Sequence, residues 1–304
     1  MGTPDESSRE HYDSLRQTGQ DLASRGELEQ ALVAFDAALA WAEEHGDEVD
    51  RDRSFCNRCS VLIHLGQGDE QIRELQRLLM RSADLTNRWL AAAVISEAYL
   101  NRKDIARSQT YTQQALGYAR QLDAVGSMAW AHNQLGNLLL QDSRFDESLE
   151  SYEQALELVG AEQMAQRATM VLNIGYCHMT SGRLDQGFRC LFTSWRMMIR
   201  QRIRWGHLLG RIRLSLSYGY LELGRLRRAE RHAWAGLGLA ECAGDQELVK
   251  RALYLLGETT KQAGDENMAF EIFSRLQRDF YPEHTFLTDT LMSYDTRQLV
   301  NLWA

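Results

Sequence analysis

The sequence is dominated by a pattern of apolar and small residues that returns about every 40 positions. Its clearest copy is Ala129–Val159, AWAHNQLGNLLLQDSRFDESLESYEQALELV. Trp130, Leu135 and Leu138 fall near the three- and four-residue steps that place side chains on one helical face. A polar break follows, and Phe145 starts a second periodic run. Each copy is predicted to be a helix hairpin, and because neither helix can bury its apolar face alone, the hairpins must stack.

Seven copies align on the turn between their two helices. The turn positions are Gly26, Gly66, Lys103, Ser143, Gly182, Gly224 and Gly264, with separations of 40, 37, 40, 39, 42 and 40 residues. In the fourth copy Ser143 is predicted to cap the second helix, because Asp146 follows in the first helical turn. The second copy departs most from the pattern, since Gln71 replaces a small residue. An even repeat of this size predicts one elongated array.

Proline is nearly absent from the chain. Between Pro4 and Pro282 lie 277 residues without proline and without alternating β-branched runs, which indicates an all-α fold. We expect a flexible N-terminus at residues 1–10, a seven-hairpin solenoid over residues 11–282, and one amphipathic helix over residues 283–304. The last helix is interpreted as a cap on the open face of the final hairpin, with a dimerisation or docking helix as the alternative.

Composition restricts the compartment and the metal chemistry. No apolar run approaches eighteen residues and the acidic start has no apolar segment, so neither a membrane span nor a secretion signal is expected. Five cysteines, an odd number, favour a reducing compartment and hence a cytoplasmic location. Cys56 and Cys59 form a CxxC pair, but no second pair follows at zinc spacing. We predict that they pack in the core and that the chain has no metal site.

The offsets of the repeat resemble the tetratricopeptide repeat, W-x2-L-G-x2-Y followed by A-x3-F and then P. The fourth copy matches best, through Trp130, Leu135, Gly136 and Ala155, and weaker matches cover residues 11–282. The step near 40 is similar to the longer-helix variety found in kinesin light chains and in bacterial peptide-pheromone receptors. Such receptors usually carry a helix-turn-helix ahead of the repeats. Because the first repeat begins by about residue 11, DNA binding through that module is not expected.

The resemblance implies a right-handed superhelix whose first helices line a concave groove for a peptide or a partner's helix. The positions that match the groove are Trp130, Asn133, Asn137, Asn173, Tyr176, Arg211 and Tyr218. Some family members clamp a C-terminal carboxylate, and Asn137, Asn173 and Arg211 match part of that clamp. Asn133 and Ser215 stand where its Lys and Arg belong, so the clamp itself is not predicted. Asparagine can pair with any peptide backbone, although these side chains could equally satisfy helix ends or contact solvent.

The charges of the chain are distributed unevenly. Residues 1–50 carry 3 Arg against 13 Asp and Glu, a net of −10, whereas residues 183–231 carry 12 Arg against 3 acids, a net of +9. The arginines singled out as a basic patch are Arg196, Arg200, Arg202, Arg204 and Arg213. One interpretation is a solvated face with internal ion pairs to Asp185, Glu222 and Glu230. The others are an acidic protein partner or second subunit, a nucleic acid, which the overall pI near 5.6 disfavours, and a membrane surface, which is the weakest.

No catalytic motif stands out in the sequence. HExxH, GxSxG, P-loop and SxxK patterns do not occur, and Gly236-Leu-Gly238 is predicted to lie inside a helix. We therefore expect no catalysis and no cofactor. The predicted function is a scaffold or adaptor that binds a protein or peptide in the groove. The alternatives are a nucleic-acid-associated regulatory factor that uses residues 183–231, and an accessory subunit of an enzyme complex.

Overall fold

The computed structural model describes residues 6–45, 47–67, 70–200 and 206–296, and within these ranges every regular element is a helix. The helices are α1 (Glu6–Ser24), α2 (Leu28–His45), α3 (Glu48–His64), α4 (Gln71–Arg81), α5 (Leu85–Asn101), α6 (Ile105–Gln121), α7 (Val125–Gln141), α8 (Phe145–Leu158), α9 (Met164–Thr180), α10 (Leu184–Arg200), α11 (Gly206–Glu222), α12 (Leu226–Ala243), α13 (Gln246–Gln262), α14 (Glu266–Phe280) and α15 (Leu287–Ser293). The predicted fold class, an all-α solenoid of helix hairpins, is confirmed. The chain divides into two compact units, Met1–Leu138 and Leu139–Ala304, with the boundary inside α7.

The seven turns aligned in the sequence have the same backbone geometry. Each turn residue has a positive φ, from +58° at Ser143 to +85° at Gly264. In every case the next residue donates its N–H to the carbonyl five positions back, at 2.8 to 3.2 Å. This is the Schellman arrangement, which satisfies the last carbonyls of the first helix and reverses the chain. The alignment therefore located all seven turns, and five of them place glycine at this position because glycine reaches the conformation without strain.

The role predicted for Ser143 is wrong. Ser143 occupies the left-handed turn position, and Arg144 precedes α8 without a side-chain capping bond. Asp146 and Glu147 still lie in the first turn of α8, where the helix dipole favours acids. A hydroxyl residue followed by an acid usually marks the residue that caps a helix. Here Arg144 stands between Ser143 and the start of α8, so Arg144 and not Ser143 occupies the capping position.

The first unit begins earlier than predicted, because helix α1 starts at Glu6 and residues 6–10 are therefore helical. Two contacts explain the difference. Arg9 pairs with the buried carboxylate of Asp50 in α3, and Trp41 of α2 donates its indole N–H to Ser8 Oγ at 3.0 Å. One turn later Tyr12 is fully buried and stacks on Trp41. These long-range contacts order a segment whose polar composition predicted fraying.

The second hairpin is the least regular, as the sequence predicted. Its second helix, α4, has only 11 residues and packs chiefly against α5 rather than α3. Cys56 and Cys59 are fully buried in the core that joins α3, α4 and α5. Burial raises the pKa of Cys59 to about 12 and that of Cys56 well above its ordinary value. Both thiols are therefore packed, protonated core groups, which confirms the packing interpretation of the CxxC pair.

The second unit packs its hairpins through close contacts at glycine. A Cβ added to Gly187 would lie 2.9 Å from the backbone oxygen of Gly175, so α9 and α10 approach closely there. A Cβ added to Gly257 on α13 would lie 2.2 Å from the ring of Phe273 on α14, which is fully buried. The small residues of the repeat therefore mark the points where the two helices of a hairpin meet.

The predicted single helix over residues 283–304 is shorter than expected. Helix α15 covers Leu287–Ser293 and ends at Tyr294, which has extended backbone; residues 297–304 lie outside the part of the chain that the structure describes. Gln277 accepts hydrogen bonds from both the N–H and the hydroxyl of Thr288, and Lys261 donates to the carbonyls of Leu291 and Tyr294. These bonds hold the segment against α13 and α14. No described helix is both long and apolar enough to cross a membrane.

Candidate functional site

Polar side chains from three successive first helices meet in the second unit. Asn173 and Tyr176 lie on α9 and are buried, and Arg211 lies on the neighbouring first helix, α11. Arg211 Nη2 donates to Asn173 Oδ1 at 2.8 Å. The third helix, α13, contributes Arg251, whose positive charge lowers the pKa of Arg211. We call Asn173, Tyr176, Arg211 and Arg251 the arginine–asparagine cluster.

Two cations share this partly dehydrated site. Burial, reinforced by the charge of Arg251, lowers the pKa of Arg211 to about 10. Burial likewise lowers the pKa of Arg251, while Tyr176, Glu247 and Asp245 act in the opposite direction. Burial and the charge of Arg251 therefore both disfavour the charged form of Arg211, and Tyr152, Asp245 and Tyr176 partly oppose them.

The remaining groove residues are placed as follows. Tyr218 lies on α11, seven residues after Arg211 and so on a similar face, and it packs partly against the core. In the first unit, Trp130 on α7 meets Trp89 edge to face with ring centroids 5.9 Å apart. Asn137 donates to Gln134 at 2.8 Å, and Asn133 is half-buried. Thus each unit places its own predicted residues on first helices.

Arg251 is the member of the cluster that the sequence analysis missed. It precedes the turn residue Gly264 by 13 positions (264 − 251), the same interval that separates Arg211 from Gly224 (224 − 211). The alignment on turns therefore contained the signal.

The predicted basic patch is only partly a surface. Arg196 and Arg200 are exposed on α10, whereas Arg213 is half-buried on α11 with its guanidinium 4.2 Å from the ring centre of Trp195. Arg202 and Arg204 lie outside the described residues. The predicted internal ion pairs with Asp185 and Glu230 are not formed within the described ranges, where Arg183 pairs with Asp146 at 3.0 Å. The interpretation that internal pairs neutralise this segment is therefore wrong for Asp185 and Glu230.

The residues that the structure describes offer no cluster of side chains that could form a metal site. Among those residues, no group of three or more His, Cys, Asp or Glu side chains lies close enough together to hold a metal ion. His132 and His178 each have a pKa lowered by burial, with Arg120 and Arg183 respectively as the second cause. This is the behaviour of packed neutral histidines.

Helix hairpins with Schellman turns recur along both units, and such a recurrence defines a helical-repeat protein. The model of the tetratricopeptide repeat matches residues 131–158, which lie within the best copy of the pattern. The prediction of a tetratricopeptide-repeat protein is confirmed. No curated protein sequence has detectable similarity to the chain.

Solved structures resemble this fold over nearly its whole length. A Rap protein complexed with competence and sporulation factor is 11% identical with a TM-score of 0.73, covering 95% of this chain and 79% of its own. The apo form of RapI is 11% identical with a TM-score of 0.63, covering 88% and 76%. A signal-transduction ATPase with a tetratricopeptide-repeat sensor from Pyrococcus horikoshii is 12% identical with a TM-score of 0.65, covering 94% and 45%. At these identities the likeness shows the shared fold.

Proposed function

We propose that this chain is a non-catalytic scaffold that binds a peptide or a helix of a partner protein along its first helices. In the second unit the contact residues would be Asn173, Tyr176, Arg211 and Tyr218, with Arg251 added. In the first unit they would be Trp130, Asn133 and Asn137. A tetratricopeptide-repeat fold is typically an interaction scaffold, and one protein of similar fold is complexed with a factor.

The observation that carries the proposal is the arginine–asparagine cluster. Arg211 is held by Asn173 at 2.8 Å and lies near a second arginine, so its guanidinium is fixed before any ligand arrives. Guanidinium groups bind carboxylates through two parallel hydrogen bonds, and a fixed group loses little entropy on binding. We infer that the cluster takes a carboxylate of the ligand, from an acidic side chain or from a chain end. Tyr176 and Tyr218 would supply apolar contact to the residues beside it.

The test compares two variants of equal charge in affinity capture from the native host. Arg211→Gln/Arg251→Gln removes both half-buried cations of the cluster, and Arg77→Gln/Arg278→Gln removes two exposed ones with side chains 66% and 71% accessible. We expect a synthetic peptide from the captured partner to bind the first variant at least about tenfold more weakly, and the second unchanged. Circular dichroism checks folding. Equal affinity for the cluster variant and the wild type would refute the site.

A cytoplasmic location and the lack of catalysis and cofactors belong to the same proposal. The thiols of Cys56, Cys59 and Cys177 are buried and each has a raised pKa, which fits proteins of a reducing compartment. Retention of the partner without turnover of any bound molecule is the expected behaviour of such a scaffold.

A further inference from the structure

Helix α10 carries a second candidate surface, distinct from the arginine–asparagine cluster. A cleft of about 480 Å³ runs along one face of α10 and is lined by Asp185, Phe188, Arg189, Phe192, Thr193 and Arg196. These residues follow helical spacing, so the cleft extends about 16 Å along the helix axis. Its volume lies in the range of pockets that accept several side chains. We call it the arginine–aromatic cleft.

The aromatic side of the cleft continues into the neighbouring hairpin. The Phe188 ring lies 4.8 Å from that of Tyr220 and stacks along α10 on Phe192 at 6.3 Å. His232 of α12 stacks on Tyr220 at 5.4 Å and meets Trp195 edge to face at 6.2 Å. The cleft therefore has a preformed apolar floor, because these rings fix one another's positions.

Cations surround this floor. Arg189 and Arg196 line the cleft and are exposed, Arg213 lies over Trp195 at 4.2 Å, and Arg228 lies over Tyr220 at 5.6 Å. Within the described ranges none of these four arginines forms an ion pair. Asp185, at one end, is the only carboxylate among the residues that line the cleft in the described structure.

We propose that the arginine–aromatic cleft binds an acidic, partly apolar segment of a partner protein. Charge complementarity carries this assignment, since exposed guanidinium groups without internal partners favour carboxylates. Arg189 and Arg196 are seven residues apart on α10, hence about 10 Å apart along the axis. Two carboxylates three residues apart in a polyproline II segment lie on the same side of that segment, about 9 Å apart. A side chain between them could turn towards Phe188 and Phe192.

Protein fits this cleft better than nucleic acid does. Arginines already cover the rings of Trp195 and Tyr220, so bases would have to displace them in order to stack. Asp185 would repel a phosphate backbone at one end of the cleft, and the chain as a whole has a net charge of −8. An extended peptide can place neutral residues opposite Asp185, whereas a polyphosphate chain has no neutral unit.

The experiment uses a fluorescein-labelled peptide that carries repeats of Glu-Phe-Leu-Glu, a matched peptide with Gln for Glu, and an oligothymidine of equal length. The variant Arg189→Glu/Arg196→Glu reverses the charge of the two exposed arginines in the cleft. The control Arg77→Glu/Arg278→Glu makes the same change of net charge at two exposed positions outside it. We expect the acidic peptide to bind the wild type, to lose at least about tenfold in affinity on the cleft variant, and to bind the control variant within about twofold of the wild type. The Gln peptide should bind weakly to all three proteins.

A second measurement follows the ring of His232 by NMR. Burial, with Arg213, Arg231 and Arg228 nearby, lowers the pKa of His232 to about 4. Bound carboxylates should raise that pKa, whereas a peptide bound elsewhere should leave it unchanged. Failure of the acidic peptide to bind, equal losses on both double variants, or tighter binding of oligothymidine than of peptide would each overturn the proposal. The outcome is independent of the Arg211/Arg251 test, because the cleft variant and the cluster variant share no residue.

Discussion

Replacing Gly257 by alanine tests whether the small residue of the repeat is required for packing. A Cβ at this position would lie 2.2 Å from Cε1 of Phe273, whereas carbon atoms in contact are normally about 3.5 to 4 Å apart. Phe273 is fully buried in the core of the second unit, so in a close-packed interior its ring can move only by displacing its neighbours. The substitution must therefore separate α13 from α14 or distort the ring.

The magnitude follows from two opposing contributions. Overpacking of a buried site costs about 1 to 3 kcal/mol, and alanine gains about 0.5 to 1 kcal/mol over glycine inside a helix. Because the overlap exceeds an ångström, we expect the packing cost to dominate and Gly257→Ala to lose about 1 to 2 kcal/mol. Gly238 on α12 is the matched control, since it is exposed and a Cβ there meets no atom within 4 Å. Gly238→Ala should gain about 0.5 to 1 kcal/mol.

Urea denaturation followed by helical circular dichroism measures both changes, and amide hydrogen exchange in α13 and α14 shows where stability is lost. Repeat arrays can unfold in parts, so the exchange data locate the effect independently of a single midpoint. Faster exchange confined to α13, α14 and their neighbours is expected for Gly257→Ala. If both alanine variants were equally stabilised, the close approach of Gly257 to Phe273 would be refuted.

Two further predictions concern a turn and a titration. Ser143→Gly should raise the free energy of unfolding by about 0.5 to 1 kcal/mol, because a side chain is strained at the φ of +58° that Ser143 adopts. Gly224→Ala, at a φ of +66°, should lower it by a similar amount. Opposite results in urea denaturation would contradict the left-handed conformation of these two turn residues. His232 has a pKa of about 4 in the folded protein and about 6.5 in the unfolded chain. Between these two values the unfolded chain binds a proton that the folded protein does not bind. The contribution of His232 to stability is therefore complete above pH 6.5 and is lost as the pH falls towards 4. Allowing for partial solvent contact, the loss should be about 1 to 2 kcal/mol and absent in His232→Gln, and identical pH profiles for the two proteins would show that the ring is not buried as described.

The positions of the hairpins were predictable because their signals are local. A left-handed turn residue and a 3.6-residue apolar period depend on neighbours within a few positions, so one sequence contains them. Gly26 in the first hairpin and Gly264 in the seventh both mark turns, because glycine has no Cβ to clash at a positive φ. The burial of Cys56 and Cys59 followed from the same periodicity.

The candidate sites were predictable only in part. The groove positions of Asn173 and Arg211 followed from the resemblance to the tetratricopeptide repeat. Their 2.8 Å hydrogen bond joins residues 38 positions apart on different helices, so it depends on side-chain rotamers that the sequence pattern does not specify. The aromatic floor beside Arg189 likewise consists of rings from α10, α11 and α12. The apolar period within one helix does not predict which rings of neighbouring helices will be in contact. The early start of α1 depends on Arg9 reaching Asp50 across 41 positions.

One sequence is enough to specify the helices, their pairing in hairpins and the resemblance to a repeat family, since turn conformation and amphipathic period are properties of short segments. The partners and the exposure of each arginine depend instead on contacts between helices. Arg211 and Arg213 are two residues apart in one helix, yet one bonds Asn173 while the other covers Trp195. Successive side chains on a helix point about 100° apart, so the neighbouring helices, and not the local sequence, determine the environment of each charge.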